Sequence, residues 1–222
     1  MNVRIHGARR HTEGPAAPLQ RSYLLKRPLD LLTATAAILL LLPVFLVIAA
    51  VVRLDSRGPV LYRGRRTGQH KRVFEILKFR TMIPGAERAG GTSTGFNDHR
   101  VTKAGKYLRR YKLDELPQFV NVLRGEMSIV GPRPEVEEYT RQYNTEEEAI
   151  LTVRPGLTDF ASIRFIDLAG SLGSESPDEV YARTVRPEKN RLRLEYVRRQ
   201  SLGTDARIVW RTLWVLATHR RA

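Results

Sequence analysis

A run of 22 residues, Leu31 to Val52, carries no charged side chain. As a helix it would measure about 33 Å, enough for a hydrocarbon core of about 30 Å. It is longer than a secretory-signal core, and no small-residue cleavage site follows it. The run predicts a membrane-inserted helix, so the rest of the chain must fold and work beside a bilayer. Lys26 and Arg27 precede the run, and Arg53 and Arg57 follow it. Basic flanks favour the cytoplasmic side, here at both ends, which frustrates a simple span. Pro43 sits near the middle and removes a helical hydrogen bond. The expected form is a re-entrant helix, anchored from Leu31 to Val52 and broken at Pro43, that enters and leaves by one leaflet. A kinked transmembrane span is the competing form.

The chain has 222 residues, enough for one ordinary domain plus an appendage. The expected division is a disordered basic tail over 1–20, the membrane-inserted helix over 21–57 and a catalytic domain over 58–222. Net charge is +15. That balance favours nucleic acid, anionic lipid or phosphorylated substrates without choosing among them. The chain has no cysteine, which excludes a disulfide framework and a thiolate metal site.

The most informative stretch runs from Leu113 to Pro134. Leu116, Phe119, Val120 and Leu123 fall at i, i+3, i+4, i+7, one apolar face of a helix. Gly125 is placed to stop it, and Pro117 fits only in its first turn. Asp114 and Glu115 then sit at the N-terminal end, which favours anions. Two acids at an anion site make sense if one binds a metal or attacks phosphorus. Alternatively, Asp114 is an N-cap. Gly131-Pro132-Arg133-Pro134 follows as a stiff loop presenting one arginine, or as a plain turn.

Elsewhere the chain reads as short elements. Val60 to Tyr62 and Val73 to Met82 predict strands joined by a basic connection, with Lys78 and Arg80 offered to a phosphorylated ligand. Gly90 to His99 and Asp167 to Glu175 read as loops. Thr102 to Tyr111 predicts a helix from which Arg109 or Arg110 can reach Asp114. Glu135 to Asn144 predicts another helix, and Thr145 with Glu148 has capping-box spacing. The cluster Glu146-Glu147-Glu148 reads as a solvated helix start, and Leu157 to Phe165 as extended. Ser176-Pro177-Asp178-Glu179 and Pro187-Glu188 each open a helix. The last helix begins at Thr204-Asp205. Its Trp210 and Trp214 lie one turn apart among Arg207 and Arg211, suited to a membrane interface or to core packing. The fold class expected is helix-dominated α+β with short strands and interfacial amphipathic helices.

Several of these stretches together resemble the bacterial sugar transferases that move a phosphosugar onto a polyprenyl phosphate, the monotopic phosphoglycosyl transferases. They are Lys26-Arg27-Pro28-Leu29-Asp30 with the mid-run proline, Lys78 to Met82, Leu113 to Gln118 running on to Ser128, Val130 to Pro134, and Arg154 to Thr158. The resemblance spans roughly residues 21–218 and implies a re-entrant anchor at the cytoplasmic face of the bacterial inner membrane. It implies a nucleoside diphosphate sugar, usually a UDP-sugar, as donor and undecaprenyl phosphate as acceptor, with Mg²⁺. It implies a reaction that opens lipid-linked assembly of exopolysaccharide, capsule, O-antigen or glycoprotein glycans. The family's acidic pair falls on Asp114 and Glu115, with the Asp as nucleophile and both as metal ligands. Lys78, Arg80, Arg109, Gln118 and Arg133 fall in motifs that would hold phosphate or substrate. The chain looks like the minimal catalytic form of the family. It departs where common members continue Gly-Trp-Ala-Gln and this chain has Asp159-Phe160-Ala161-Ser162. That departure leaves the reaction class alone and puts the sugar and the base in question.

Two other readings stand beside the enzyme. One is a membrane-anchored basic protein that binds anionic lipid or nucleic acid, although no helix-turn-helix, RNA-recognition or zinc motif is visible, and no nucleic-acid partner is expected. The other is a related scaffold without activity. A homodimer is an open expectation.

Overall fold

A computed structural model describes residues 24–86, 98–166 and 181–218. The tail over 1–20, most of the Gly90–His99 loop, the Asp167–Glu175 loop and the helix start at Ser176 lie outside them.

The described chain is helix-dominated α+β with two small sheets. Helix α1 (Lys26–Asp55) runs unbroken through Pro43, where the sequence predicts a break. A proline deletes one hydrogen bond, and the turns on either side keep theirs. Leu39, Leu40, Leu42, Leu46 and Val47 are exposed, so α1 is no buried core helix. One stripe of it does pack inward, at Asp30, Ala34, Ile48 and Val52.

Strands β1 (Leu61–Thr67) and β2 (Val73–Phe79) form an antiparallel hairpin with Gly64 opposite Ile76. The hairpin turns through His70 and Lys71, both at positive φ. Strand β1 is longer than the sequence suggested and absorbs Arg63, Arg65 and Arg66. Helix α2 (Lys103–Arg110) starts where expected, because the Thr102 hydroxyl accepts from the Gly105 N–H.

The predicted helix after Asp114 is divided. Leu113–Glu115 is a single 3₁₀ turn, and α3 (Gln118–Leu123) begins after Pro117. Proline has no N–H to continue the ladder, so the α-helix starts behind it. Gly125 at φ +83° ends it, as the spacing predicts.

Helix α3 is fixed to β2 by Asn121. Its Oδ1 accepts from the Leu77 N–H at 3.0 Å, and its Nδ2 donates to the Glu75 carbonyl at 2.7 Å. The side chain thus replaces a neighbouring strand. Ala34, Phe74, Ile76, Val122 and Met127 close one core beneath it. Ile48, Val52, Phe79 and Leu108 close a second. Each large apolar side chain so buried contributes about 1.5–3 kcal/mol.

The second sheet pairs β3 (Ser128–Val130) with β4 (Gly156–Thr158) in parallel. A Cβ on Gly131 would lie 2.4 Å from the Arg154 carbonyl oxygen, and one on Gly156 would lie 2.1 Å from the Gly131 nitrogen. Two motif glycines therefore exist so that two backbones can touch.

Three further expectations change. Glu135 to Asn144 is helical only over α4 (Glu137–Thr140). The capping box is Asn144 with Glu147, since Asn144 Oδ1 accepts from Glu146 and Glu147 and Glu147 accepts from Asn144. The three acids open the 3₁₀ turn Glu147–Thr152 with Glu146 and Glu148 exposed, as expected, and each is also paired, Glu146 with Arg198, Glu147 with Asn190 and Glu148 with Lys71. Leu157 to Phe165 is strand only to Thr158, because buried Asp159 caps α5 (Phe160–Arg164).

Helix α6 (Arg186–Arg198) carries Pro187 in its first turn but continues a π-helical turn over Tyr181–Val185 instead of opening there, and α7 (Leu202–Thr218) closes the described chain. Ile208 of α7 packs on Val130 and Tyr196. Trp210 and Trp214 are 67% and 61% exposed, so core packing is not their role.

Candidate active site

The 3₁₀ turn carrying Asp114 and Glu115 is set between β2, α2 and the Arg133 loop. Lys112 enters it at φ 55°, a left-handed conformation that aims the next residues inward. Asp114 is buried and Glu115 about a quarter exposed. Asp114 does not serve as the cap of α3, and six residues of α3 make a weak dipole. The cations around the pair supply the field instead.

Lys78 Nζ donates to Glu115 Oε1 at 2.9 Å and lies 4.0 Å from Asp114 Oδ2. Arg133 Nη2 donates to the same Glu115 oxygen. Arg109 Nε donates to the Thr81 hydroxyl at 2.8 Å, which holds its guanidinium within electrostatic reach of both acids. Arg110 instead lies over the Tyr111 ring.

The two carboxyls are driven in opposite directions. Burial raises the Asp114 pKa, and its ionised neighbour Glu115 pushes the same way. Burial also pushes Glu115 up, but Arg133 and Lys78 outweigh it and hold Glu115 well below the usual range. Adjacent acids split in this way suit different tasks. Glu115 is a fixed anion that gathers two cations. Asp114 is the more basic of the two, and among the described residues no hydrogen bond to its carboxylate is formed, so its lone pairs are available to a substrate.

Among the described residues no three Asp, Glu or His side chains converge as a metal cage. A hard divalent ion that takes one or two carboxylates and fills its remaining positions with phosphate oxygens and water still fits the Asp114–Glu115 pair.

Two expected site residues are placed differently. Arg80 turns away, and its Nη2 donates to the carbonyls of Val52 and Ser56 at 3.3 and 2.6 Å. It caps the C-terminal end of α1, because the strand ends at Phe79 and releases the next side chain. Gln118 is fully buried with neither amide atom hydrogen-bonded, one turn beyond the acids. Lys78→Ala is therefore expected to lower turnover with little loss of stability. Arg80→Ala is expected to cost about 1–3 kcal/mol of stability by stranding two carbonyls. Turnover and thermal midpoints of both variants check this division, and equal losses of kcat would overturn it.

The sequence also left partners unseen. Thr81 holds Arg109, Asp159 holds the Arg133 backbone at 3.1 Å, and Arg193 holds Glu135 at 2.6 Å. The Asp159 N-cap with Ser162 was legible as a helix start.

The bacterial sugar transferase profile matches residues 21–219. The chain is 33% identical over 223 residues to UDP-N-acetylgalactosamine-undecaprenyl-phosphate N-acetylgalactosaminephosphotransferase of Aeromonas hydrophila, covering 97% of this chain and 49% of that protein. It is 40% identical over 194 residues to UDP-glucose:undecaprenyl-phosphate glucose-1-phosphate transferase of Escherichia coli (strain K12), covering 86% and 40%. It is 39% identical over 203 residues to exopolysaccharide production protein ExoY of Rhizobium meliloti (strain 1021), covering 85% and 83%. The chain thus spans about half or less of the first two relatives and most of the third.

Proposed function

The chain belongs to the bacterial sugar transferase family, and from that premise we propose that it moves a sugar 1-phosphate from a nucleoside diphosphate sugar to undecaprenyl phosphate. The observation that carries this reading is the Asp114–Glu115 pair, driven apart in pKa and ringed by Lys78, Arg109 and Arg133. The relatives named for UDP-sugars support a UDP donor.

Both substrates are anions, so bringing them together requires cations placed beforehand. A carboxylate oxygen of Asp114 attacks the phosphorus that bears the sugar. The bond from that phosphorus to the nucleoside phosphate breaks, and the nucleoside monophosphate leaves. A phosphate oxygen of the lipid then attacks the same phosphorus and releases Asp114. Two displacements replace one difficult encounter between two free anions. Lys78 and Arg133, held together by Glu115, face the diphosphate, and Arg109 steadies the Asp114 carboxylate before attack and again on its release. Asp114 and Glu115 are the residues that would hold Mg²⁺, which when bound neutralises phosphate charge.

The acceptor stays in lipid, so the site must lie at a membrane face. Both ends of α1 are tied to the same globular unit. Lys26 bonds Asp205 at 2.6 Å and Asp30 accepts from Ile129, while at the other end Asp55 accepts from Ala104 and Arg80 bonds Ser56. Ends so tied favour a seat with both on one face, the cytoplasmic face of the inner membrane, over a full span. The exposed Trp210, Leu213 and Trp214 of α7 add a second apolar surface. These are the chain's two tryptophans. In nanodiscs, brominated lipids are expected to quench both, and cysteines engineered before Leu31 and after Val52 are expected to label from the same side. Opposite-side labelling would overturn the one-face seat.

The reaction is tested by nucleotide release. Purified protein, undecaprenyl phosphate and Mg²⁺ are mixed with a panel of UDP-sugars. UMP release with one sugar, lost with EDTA, is the expected result. Folded protein that releases no nucleotide from any donor overturns the reading.

A further inference from the structure

The loop that presents Arg133 has few donors of its own. Pro132 and Pro134 lack an N–H, so Gly131 and Arg133 supply the only backbone donors of the four residues. The Gly131 N–H goes to the Thr158 carbonyl at 3.0 Å. The Arg133 N–H goes to Asp159 Oδ2 at 3.1 Å. The parallel ladder of β3 and β4 is thus extended past its last pair, with a side-chain carboxylate as the next acceptor. The arginine head is tied to the same segment, because Nη1 donates to the Leu157 carbonyl at 3.0 Å while Nη2 reaches Glu115.

Asp159 is fully buried. Its Oδ1 accepts from the Ser162 N–H at 2.6 Å and starts α5. Serine or asparagine would cap a helix as well as aspartate does. Burying a carboxylate is costly, and here both of its oxygens are used, one on the helix and one on the loop.

We propose that Asp159 is a positioning residue that holds Arg133 in place over the Asp114–Glu115 pair and couples it, through α5, to Phe160–Phe165. The donor therefore meets an arginine whose place depends on that segment. This inference rests on the transfer reading above.

Asp159→Ser separates the two jobs. A serine hydroxyl caps α5, but it is a single oxygen and cannot also hold the Arg133 N–H. Three readouts are compared with wild type: amide hydrogen exchange over 131–135 without substrate, the thermal midpoint, and donor kinetics in native and Arg133→Ala backgrounds. The expected result is faster exchange at the Arg133 amide with a nearly unchanged midpoint. It also includes kcat/KM lower by about 10- to 100-fold, carried mostly by donor KM. In the Arg133→Ala background the same change is expected to add nothing, because both variants remove one contact chain. Unchanged exchange, or an equal loss in both backgrounds, overturns the proposal. If wild type turns over no donor, the transfer reading fails, and the exchange result still decides Asp159.

Discussion

Asp114→Asn is expected to lower kcat/KM by on the order of 10⁴-fold or more, while the protein still folds and binds membrane. An amide cannot take the phosphosugar as a carboxylate does. The packing has little stake in the charge, since among the described residues Asp114 accepts no hydrogen bond and its nearest cation, Lys78, is 4.0 Å away. Burial already works against its ionised form. The neutral variant therefore relieves a desolvated charge and should keep its thermal midpoint within a few degrees. Nucleotide release and thermal unfolding, run side by side, check both halves. A fully active variant would sink the covalent step, and an unfolded one would make Asp114 a structural acid.

Arg193→Met is expected to have the largest effect on stability. Arg193 is fully buried and bonds Glu135 Oε1 at 2.6 Å and Asn190 Oδ1 at 2.9 Å. Removing it leaves the Glu135 carboxylate buried with the Tyr181 hydroxyl as its remaining bond. Breaking a buried pair from one side costs about 3–5 kcal/mol. For a chain of this size that is a fall on the order of 10 °C.

The sign of its pH dependence follows from Glu135. Burial pushes the Glu135 pKa up, but Arg193 and Tyr181 outweigh it and hold it below its ordinary 4.5. Below that value the unfolded chain binds the proton more readily than the folded one. The pair's contribution is thus fully present above pH 4.5 and is lost as pH falls below it. In the variant Glu135 loses the largest charge that opposes its burial and keeps the Tyr181 hydroxyl and the Lys189 charge, so the contribution present above pH 4.5 is smaller. The gap in thermal midpoint between the two proteins should therefore widen from pH 4 to pH 7. A gap independent of pH would show that Arg193 acts through packing alone.

Local pattern carried much of the fold. The start of α2 at Thr102 and the stop at Gly125 were both legible, because each depends on groups within one turn of the backbone. The misreadings had local causes too. Asn144, one residue before Thr145, won the capping box because its own side chain reached the free N–H groups. Asp159 ended a strand that hydrophobic residues alone would have continued. The Trp pair on α7 had two readings in the sequence, and exposure of its face decided between them.

The sequence by itself determined that α1 is apolar enough to sit in a membrane, and that two acids stand side by side between Leu113 and Leu116. Composition and adjacency along the chain are sufficient for both. Only the tertiary structure decided which cations serve those acids. Lys78 reaches Glu115 across 37 positions and Arg133 across 18, while Arg80, two residues from Lys78, closes the end of α1. An ion pair forms where packing brings two heads within a few ångströms. Here that packing is set by Asn121 of α3 bonding the β2 backbone and by the touching backbones of Gly131 and Gly156, distances on which local periodicity is silent.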